Sequence, residues 1–316
     1  MRAVQIEEFG GPEVLTVANI PKPEPGDAEV LIEVTRAGMN FGDTHQRENS
    51  YLAKYEVPLV LGGEVAGTTP DGRRVVALVP SGGYAEYAVA HESAVYPIPD
   101  GLDEDAALAL LVQGLTAWHL YRTSSKLAPG ESVVVVSGAG GVGSLAVQLG
   151  RPMGAGRVIA TASTADKRAL TLELGADAAV DPAEEDLRGA LIEANGGRPV
   201  DVVFEMSGGR VFDACADALA PFGRIVAYGI AGREQNTLET GRLMRKSRAV
   251  VGFWLMHCLG RREMMEEPLA DLFERAVRGE IRPQVGGTYP LSEVRRAHED
   301  MQGRRTSGKL LLDPRA

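Results

Sequence analysis

The chain has few of the residues that build metal centres and disulfide frameworks. Its 316 residues include two cysteines, Cys215 and Cys258, and five histidines. No CxxC pair and no Cys/His cluster occurs along the sequence. Because a structural zinc site needs closely spaced sulfur and nitrogen ligands and a disulfide framework needs several paired cysteines, neither is expected.

Long apolar runs and an excess of positive charge are also lacking. No run approaches the roughly 20 apolar residues that cross a bilayer, and residues 1–8 lack the apolar core of a signal peptide. Lys and Arg total 33 against 43 Asp and Glu, a net charge of −10 that repels phosphate backbones. We therefore expect a cytoplasmic protein without a membrane or nucleic-acid partner.

The residue pattern at the two ends of the chain differs from that in its middle. Residues 1–110 hold short Val/Ile/Leu runs such as 30–34 and 74–79, separated by turn signals such as 21–27, which predicts a β-rich domain. Beyond residue 256 the pattern predicts helices at 269–278 and 291–301 and then a strand at 309–312. We expect this last strand to return to the sheet of the first region.

The middle of the chain alternates strand and helix. Short apolar strands are predicted at 133–137, 157–162, 178–180, 201–206, 224–229 and 250–255, and helices lie between the first five at 142–149, 166–174, 183–194 and 211–219. Such alternation is typical of a parallel sheet covered on both faces. Six strands fit a doubly wound Rossmann sheet, so the chain is predicted to be an α/β protein.

One glycine motif points to a dinucleotide. Gly138, Gly140 and Gly143 form G-x-G-x-x-G directly after a strand of four valines and at the start of an apolar helix. In this context the glycines permit a tight turn, a close approach of the backbone to a pyrophosphate and close packing of the helix on the strand. The helix N-terminus then offers N–H groups to the phosphates. A glycine-rich turn without a ligand is the alternative.

The end of the second predicted strand favours NADPH over NADH. An NAD site usually places a carboxylate there, on the ribose hydroxyl, whereas this chain has Ala162, Ser163 and Thr164, followed by Lys167 and Arg168. Hydroxyl groups and a nearby ammonium suit a 2′-phosphate. The alternative for Lys167 is a solvated helix face.

These features, with other stretches, resemble the quinone oxidoreductases, the zeta-crystallin-like and zinc-free branch of the medium-chain dehydrogenase/reductase superfamily. The resemblance covers nearly the whole chain. It is carried by the glycine motif and by the stretches at 1–15, 37–43, 62–67, 83–87, 113–117 and 308–310.

The resemblance implies two domains and a cofactor site. A GroES-like β-rich catalytic domain would comprise 1–110 and 256–316, a Rossmann domain would comprise 111–255, and the active site would lie in the cleft. A homodimer through the edge strand at 250–255 is typical of the family. The implied cofactor contacts, added to Gly138 and Gly143, are Asn40, Thr116, Gly140, Gly141, Val142, Ser163, Lys167, Tyr228 and Gly229.

The resemblance also predicts chemistry without zinc. Zinc-dependent relatives place ligands where this chain has Asn40, Gly63 and a residue near Gln113, and none of these supplies a good zinc ligand. Two departures from the family stand out. Asp181 occupies the place of a tyrosine near the phosphate and is expected to weaken that pocket, and His45 occupies the place of an active-site tyrosine.

We expect hydride transfer from NADPH to a small quinone or α,β-unsaturated carbonyl, which is already electrophilic. The candidate catalytic residues are Asn40, His45 and Tyr51. Asn40 would donate from its amide, His45 would hydrogen-bond or protonate the developing oxyanion, and Tyr51 would line the mouth. The alternatives are a turn cap, an exposed loop histidine and ordinary packing. His298 is expected at the surface.

Two other functions remain open at this point. One is an enoyl-thioester reductase, which would need a long basic groove that the acidic composition does not indicate. The other is a non-catalytic NADPH-binding protein of structural or RNA-binding type. The net charge disfavours RNA, and Asn40 with the intact glycine motif favours a working cofactor site.

Overall fold

The computed structural model describes residues 1–50 and 52–316, which divide into two compact units. Residues Met1–Val112 and Leu259–Ala316 form one, here called the split unit, and Gln113–Cys258 form the other, here called the central unit. Within these residues, no helix combines the length and the apolar character that a membrane span requires.

The first part of the split unit consists of short strands. Valine-rich stretches separated by Gly and Pro turns favour extended backbone, and one long strand crosses the unit. The elements are β1 (Arg2–Ile6), β2 (Thr16–Asn19), β3 (Glu29–Met39), α1 (Phe41–Glu48), β4 (Leu59–Val60), β5 (Glu64–Thr68), β6 (Arg74–Leu78), β7 (Tyr87–His91), β8 (Val95–Pro97) and α2 (Glu104–Ala109).

The central unit alternates helices and strands, and all six strands expected from the sequence are present. A π-helical turn, Leu110–Gly114, leads into it and a second one, Leu120–Ser124, follows its first helix. The elements are α3 (Leu115–His119), β9 (Ser132–Val135), α4 (Gly141–Gly150), β10 (Arg157–Thr161), α5 (Ala165–Glu173), β11 (Ala178–Val180), α6 (Leu187–Ala194), β12 (Val200–Glu205), α7 (Gly209–Ala218), β13 (Leu219–Ala227), α8 (Thr240–Met244) and β14 (Ala249–Gly252).

The six strands form one parallel sheet in the order β11-β10-β9-β12-β13-β14. Counted along the unit, this order is 3-2-1-4-5-6, which is the Rossmann arrangement. The middle strand β9 is fully buried, as is typical of a parallel sheet with helices on both faces. The topological switch lies between β9 and β12, and it places the carboxyl ends of these strands where an open α/β sheet binds its ligand.

The last part of the chain completes the split unit. It comprises α9 (Arg262–Val277), β15 (Val285–Pro290), α10 (Val294–Gln302) and β16 (Lys309–Asp313). Strand β16 pairs antiparallel with β3, so the prediction that the final strand returns to the first sheet is confirmed. The large sheet has the order β15-β16-β3-β5-β6-β8, with β7 also on β3, and a small sheet has the order β2-β1-β4.

Several predicted boundaries were wrong for local reasons. The strand predicted at 250–255 ends at Gly252, and Leu255–Cys258 form a 3₁₀ turn. The helix predicted from residue 183 begins at Leu187, because the Asp186 carboxylate caps it by accepting from Gly189 N at 2.8 Å. The helix predicted from residue 269 begins at Arg262 and includes Pro268, a residue that normally argues against a helix interior.

Candidate functional site

The glycine motif forms a backbone turn between β9 and α4 of the central unit. Gly138 N donates to Thr161 O at 2.8 Å and Gly140 N donates to Ser137 O at 2.9 Å. Helix α4 begins at Gly141, and no side chain caps its N-terminus. Because the first N–H groups of a helix have no partner within the helix, they carry partial positive charge and suit an anion.

The turn is closed to side chains at its glycines. A Cβ atom on Gly143 would lie 2.1 Å from Ser137 O, and one on Gly138 would lie 2.7 Å from Ala160 Cβ. One on Gly141 would lie 2.1 Å from Oε1 of the buried Gln113 side chain. A side chain at Gly138 or Gly143 would therefore force the turn to open, and the N–H groups at the start of a helix after such a turn suit a diphosphate.

The carboxyl end of β10 carries the groups expected near the adenosine ribose. Ser163 and Thr164 are exposed there, and Thr164 Oγ1 caps α5 by accepting from Lys167 N at 3.3 Å. Asp181 is expected from the sequence to weaken a phosphate pocket, and the structure shows what this carboxylate contacts. Asp181 Oδ2 accepts from Arg168 Nη1 at 2.8 Å, so the carboxylate is half of an ion pair.

The remaining predicted cofactor residues of the central unit lie in α3 and after β13. Thr116 is buried in α3. Tyr228 directly follows β13 and its N donates to Glu205 O at 3.0 Å. Burial, together with the nearby Glu205 charge, raises the pKa of Tyr228 above its usual value. Gly229 follows, and the pair lies at the carboxyl end of its strand, on the same sheet edge as the glycine turn.

In the split unit, the side chain of Asn40 is held by two charged partners. Asn40 is the N-cap of α1, and its backbone N donates to Asp43 Oδ2 at 2.8 Å. Its Nδ2 donates to Glu64 Oε1 at 2.6 Å and its Oδ1 accepts from Lys309 Nζ at 3.2 Å. A carboxylate can only accept and an ammonium can only donate, so the amide is fixed in one orientation.

Glu64 and Lys309 form a buried ion pair that the sequence analysis missed. Both side chains are 0% exposed, and Lys309 Nζ donates to Glu64 Oε1. Glu64 Oε2 also accepts from Val112 N at 3.2 Å. A charge within an apolar strand, as in the sequences GGEVAG and GKLLLD, was the available signal, because a charged side chain pointing inward requires a partner.

Asp43 extends this buried network. Tyr84 OH donates to Asp43 Oδ2 at 2.6 Å. Burial raises the pKa of Asp43 to about 6, although the hydrogen bonds from Tyr84 and from Asn40 N act in the opposite direction. The buried Tyr84 hydroxyl has a pKa well above its usual value because of burial and the Asp43 charge. The Asp43 carboxyl therefore changes charge near neutral pH.

The other catalytic candidates differ in their surroundings. His45 lies in helix α1 and is buried, with Nδ1 3.1 Å from Ser50 Oγ and its ring edge-on to Phe41. It is thus not the exposed loop histidine that was the alternative. Asn40 and His45 share α1 and its N-cap. Tyr51 lies outside the described residues.

The expectation that His298 lies at the surface was wrong. Its side chain is fully buried on α10, and Nδ1 lies 3.1 Å from Nη1 of the buried Arg47. Burial, with the Arg47 charge, lowers the pKa of His298 to about 3. The ring is therefore a neutral core group that accepts from the guanidinium. Charged residues near it in the sequence, such as Arg296 and Glu299, concealed this.

Asn40 and Gly63 do not suit a zinc ion as ligands. Zinc-dependent relatives are expected to place ligands where this chain has Asn40 and Gly63, but the amide of Asn40 is bonded to Glu64 and Lys309, and Gly63 has no side chain. In residues 1–50 and 52–316, no group of three or more His, Cys, Asp or Glu side chains is arranged to hold a metal ion.

Comparison with known proteins covers both units. Residues 26–100 match the family model described as the alcohol dehydrogenase GroES-like domain, and residues 141–275 match the one described as zinc-binding dehydrogenase. The quinone oxidoreductase of Pseudomonas aeruginosa is 32% identical over 99% of this chain and 99% of its own. A 2-haloacrylate reductase of Burkholderia is 30% identical over the same shares.

A solved structure shows the same architecture over the full length. The structure of Escherichia coli quinone oxidoreductase complexed with NADPH matches with a TM-score of 0.94 and 30% identity. The match covers 99% of this chain and 100% of that one. The likeness therefore extends to both the GroES-like part and the Rossmann sheet.

Proposed function

Because the chain belongs to the quinone oxidoreductase family of the medium-chain dehydrogenase/reductase superfamily and is an oxidoreductase enzyme, we propose that it uses NADPH to reduce a quinone or an α,β-unsaturated carbonyl compound without a metal ion. The observation that carries the proposal is the uncapped glycine turn at the carboxyl edge of the Rossmann sheet, with the basic residues Lys167 and Arg168 in the first turn of α5. The NADPH complex of the Escherichia coli relative supports this choice of coenzyme.

The residues that would hold the coenzyme follow from this edge of the sheet. The N–H groups of Gly141, Val142 and Gly143 would bind the diphosphate, with Gly138 and Gly140 shaping the turn. Ser163 and Lys167 would bind the 2′-phosphate that distinguishes NADPH from NADH. The remaining proposed contacts are Asn40, Thr116, Tyr228 and Gly229.

NADPH supplies a hydride from its nicotinamide ring when bound. The protein then has to orient the acceptor and stabilise the negative charge that develops on its oxygen. We assign the first role to Asn40, because Glu64 and Lys309 hold its amide in one orientation. We assign His45 a hydrogen bond or a proton to the developing oxyanion. The assignment of Tyr51 to the mouth rests on the sequence alone.

The proposed metal independence rests on the residues at the positions where zinc-dependent relatives place their ligands. An engaged amide at Asn40 and a glycine at position 63 cannot supply the three or four N, S or carboxylate ligands that zinc requires. Elemental analysis of the purified protein should therefore find no stoichiometric zinc. One zinc ion per chain would overturn this part of the proposal.

The activity is tested by mixing the protein with NADPH and a panel of acceptors while the absorbance of reduced nicotinamide is followed. The panel contains quinones, short enals and acrylates, and acyl thioesters. Oxidation with quinones or enals is the expected result. Turnover with acyl thioesters alone would establish an enoyl-thioester reductase instead. Tight binding of NADPH without turnover of any acceptor would leave a non-catalytic binding protein.

A homodimer through β14 is part of the proposal. Within the described residues this edge strand pairs only with β13, and Val250 on it is 39% exposed. Phe222 and Met244 are each 78% exposed. Phe222 N donates to Lys246 O, which places Phe222 beside the segment that leads into β14. Exposed apolar groups beside an open edge favour pairing with a second copy.

Sedimentation should accordingly give a mass twice the 33.6 kDa of the chain. Val250→Glu should shift the protein towards monomer, because it places a charge on the pairing edge. Val277→Glu, at a similarly exposed valine on α9, is the matched control and should leave the mass unchanged. A monomeric wild-type protein would contradict the proposed dimer. The cytoplasmic location stays a prediction from the sequence.

A further inference from the structure

We propose that Arg168, anchored by Asp181, is a further residue that makes this chain prefer a coenzyme with a 2′-phosphate, beside Ser163 and Lys167. The inference rests on the proposed function and names a specificity determinant within the same site. The residue types after β10 predict Ser163 and Lys167 at the phosphate, and the family resemblance counts Asp181 against it.

The position of the guanidinium is the first argument. Arg168 Nη1 donates to Ala162 O at 2.9 Å, and Ala162 immediately follows Thr161, the last residue of β10. In a Rossmann sheet the adenosine ribose lies at the carboxyl end of this second strand. In NAD sites a carboxylate there binds the ribose hydroxyl. Here a positive charge is tied to the backbone at that point.

The guanidinium of Arg168 also has donors to spare for a phosphate. An arginine has five N–H donors, and Nη1 of Arg168 is engaged by Ala162 O and Asp181 Oδ2. In the part of the chain that the structure describes, Nε and Nη2 have no hydrogen-bond partner. These two nitrogens form one edge of the guanidinium, which matches two oxygens of a phosphate.

The surroundings of the pair are the third argument. The side chains of Arg168 and Asp181 are 27% and 28% exposed, so both are partly withdrawn from water and still accessible. Partial burial strengthens a charge-assisted hydrogen bond relative to one at the open surface.

Asp181 then acts as an anchor and not as a repelling charge. Its Oδ1 accepts from Ala183 N at 2.9 Å while its Oδ2 accepts from Arg168. Asp181 follows β11, and Ala162 N donates to Val180 O at 3.1 Å across the two strands. The ion pair is therefore braced by the ends of two neighbouring strands, which limits the motion of the guanidinium.

The test compares dissociation constants for NADPH and NADH, measured by fluorescence titration of the full-length protein. Arg168→Ala should weaken NADPH by roughly 10- to 100-fold, as expected for loss of charge-assisted hydrogen bonds. The affinity for NADH should change little, and its retention shows that the variant is folded. Equal losses for both coenzymes, or an unchanged ratio, would overturn the assignment of Arg168.

The chain offers a matched control in a second Arg–Asp pair beside β10. Arg151 Nη2 donates to Asp177 Oδ1 at 2.5 Å, and Asp177 Oδ2 accepts from Val158 N at 2.7 Å near the amino end of that strand. Arg151→Ala breaks a similar pair away from the ribose position and should leave the ratio of the two affinities unchanged. A shift in the ratio equal to that of Arg168→Ala would contradict the inference.

A double-mutant cycle tests the role of Asp181. Without Arg168 the Asp181 carboxylate would stand uncompensated beside the phosphate, so adding Asp181→Asn to Arg168→Ala should restore part of the NADPH affinity without changing that for NADH. Failure to restore any would overturn the anchoring role. If the wild-type protein binds neither coenzyme, the proposed function falls as well. If the wild-type protein binds NADPH but the affinities of the variants do not change as predicted, only the assignment of Arg168 and Asp181 is wrong.

Discussion

The two units hold their polar groups by different means. In the central unit the groups proposed to bind the diphosphate are backbone amides, aligned by a turn whose glycines Gly138 and Gly143 leave no room for side chains. In the split unit the candidate catalytic amide of Asn40 is held by the buried side chains of Glu64 and Lys309. Damage to the turn should therefore impair binding in a folded protein, whereas damage to the buried network should reduce stability first.

Lys309→Met should have the largest effect on stability. It leaves the Glu64 carboxylate buried without its counterion, which typically costs about 3–5 kcal/mol of the free energy of unfolding. Urea denaturation measures the loss. The double variant with Glu64→Leu should recover part of it, because no uncompensated charge then remains.

The surface pair Arg262–Glu266 serves as the control for that experiment, since its side chains are 84% and 44% exposed. Arg262→Ala should change the free energy of unfolding by less than about 1 kcal/mol. Equal effects of the buried and the surface variants would show that the split unit does not depend on its buried charges.

Asp43 should make stability depend on pH. Its pKa is raised from 3.8 to about 6 by burial, so the folded state binds a proton more tightly than the unfolded one. The stabilisation from protonated Asp43 is full below about pH 4 and is lost as the pH rises through about 6. Between about pH 4 and about pH 7 the wild-type protein should lose up to about 3 kcal/mol of unfolding free energy relative to Asp43→Asn.

This difference is measured by urea denaturation of both proteins at each pH. Parallel pH profiles for the two proteins would mean that Asp43 is ionised in the folded state throughout. A free energy of unfolding that rises with pH only in the wild-type protein would mean that folding lowers the pKa of Asp43, and it would contradict the prediction.

Gly143→Ala should affect coenzyme binding, with a smaller effect on folding. The added Cβ would lie 2.1 Å from Ser137 O, so the turn must open and its N–H groups lose their alignment. NADPH and NADH should weaken alike, by about 100-fold or roughly 2.7 kcal/mol. Gly241→Ala in α8, where a Cβ meets nothing within 4 Å, is the matched control and should bind normally. Undiminished binding by Gly143→Ala would place the diphosphate elsewhere.

Lys167→Ala should have the smallest effect. Only NADPH carries the 2′-phosphate, so its binding should weaken by about tenfold, or roughly 1.4 kcal/mol, with NADH nearly unchanged. The expected loss is smaller than for Arg168→Ala because lysine is a flexible point charge and the arginine is braced in place. Equal weakening of both coenzymes would remove Lys167 from the phosphate pocket.

The central unit was largely predictable because its signals are local. Each strand of its sheet is a short apolar run next to a helix, and the motif of Gly138, Gly140 and Gly143 lies within six consecutive residues. Parallel strands joined by helices have few arrangements available to them. The order of the strands and the position of the turn therefore followed from neighbouring residues.

The side-chain partnerships were not predictable, because the fold creates them. Lys309 lies 245 positions from Glu64 in the sequence, and only the pairing of β16 with β3 brings it to Asn40. Arg168 and Asp181 lie on separate elements, so their ion pair could not be predicted from neighbouring residues. From the sequence alone, the Asp181 carboxylate is expected only to weaken phosphate binding. Several element ends were also mispredicted, because a single cap such as Asp186 can decide where a helix begins.

The most direct test of the account is a crystal structure of the protein soaked with NADPH. We predict that the diphosphate lies on the N–H groups of Gly141, Val142 and Gly143 and that the 2′-phosphate accepts from Nε and Nη2 of Arg168. Coenzyme bound at another surface, with the glycine turn empty, would contradict the account.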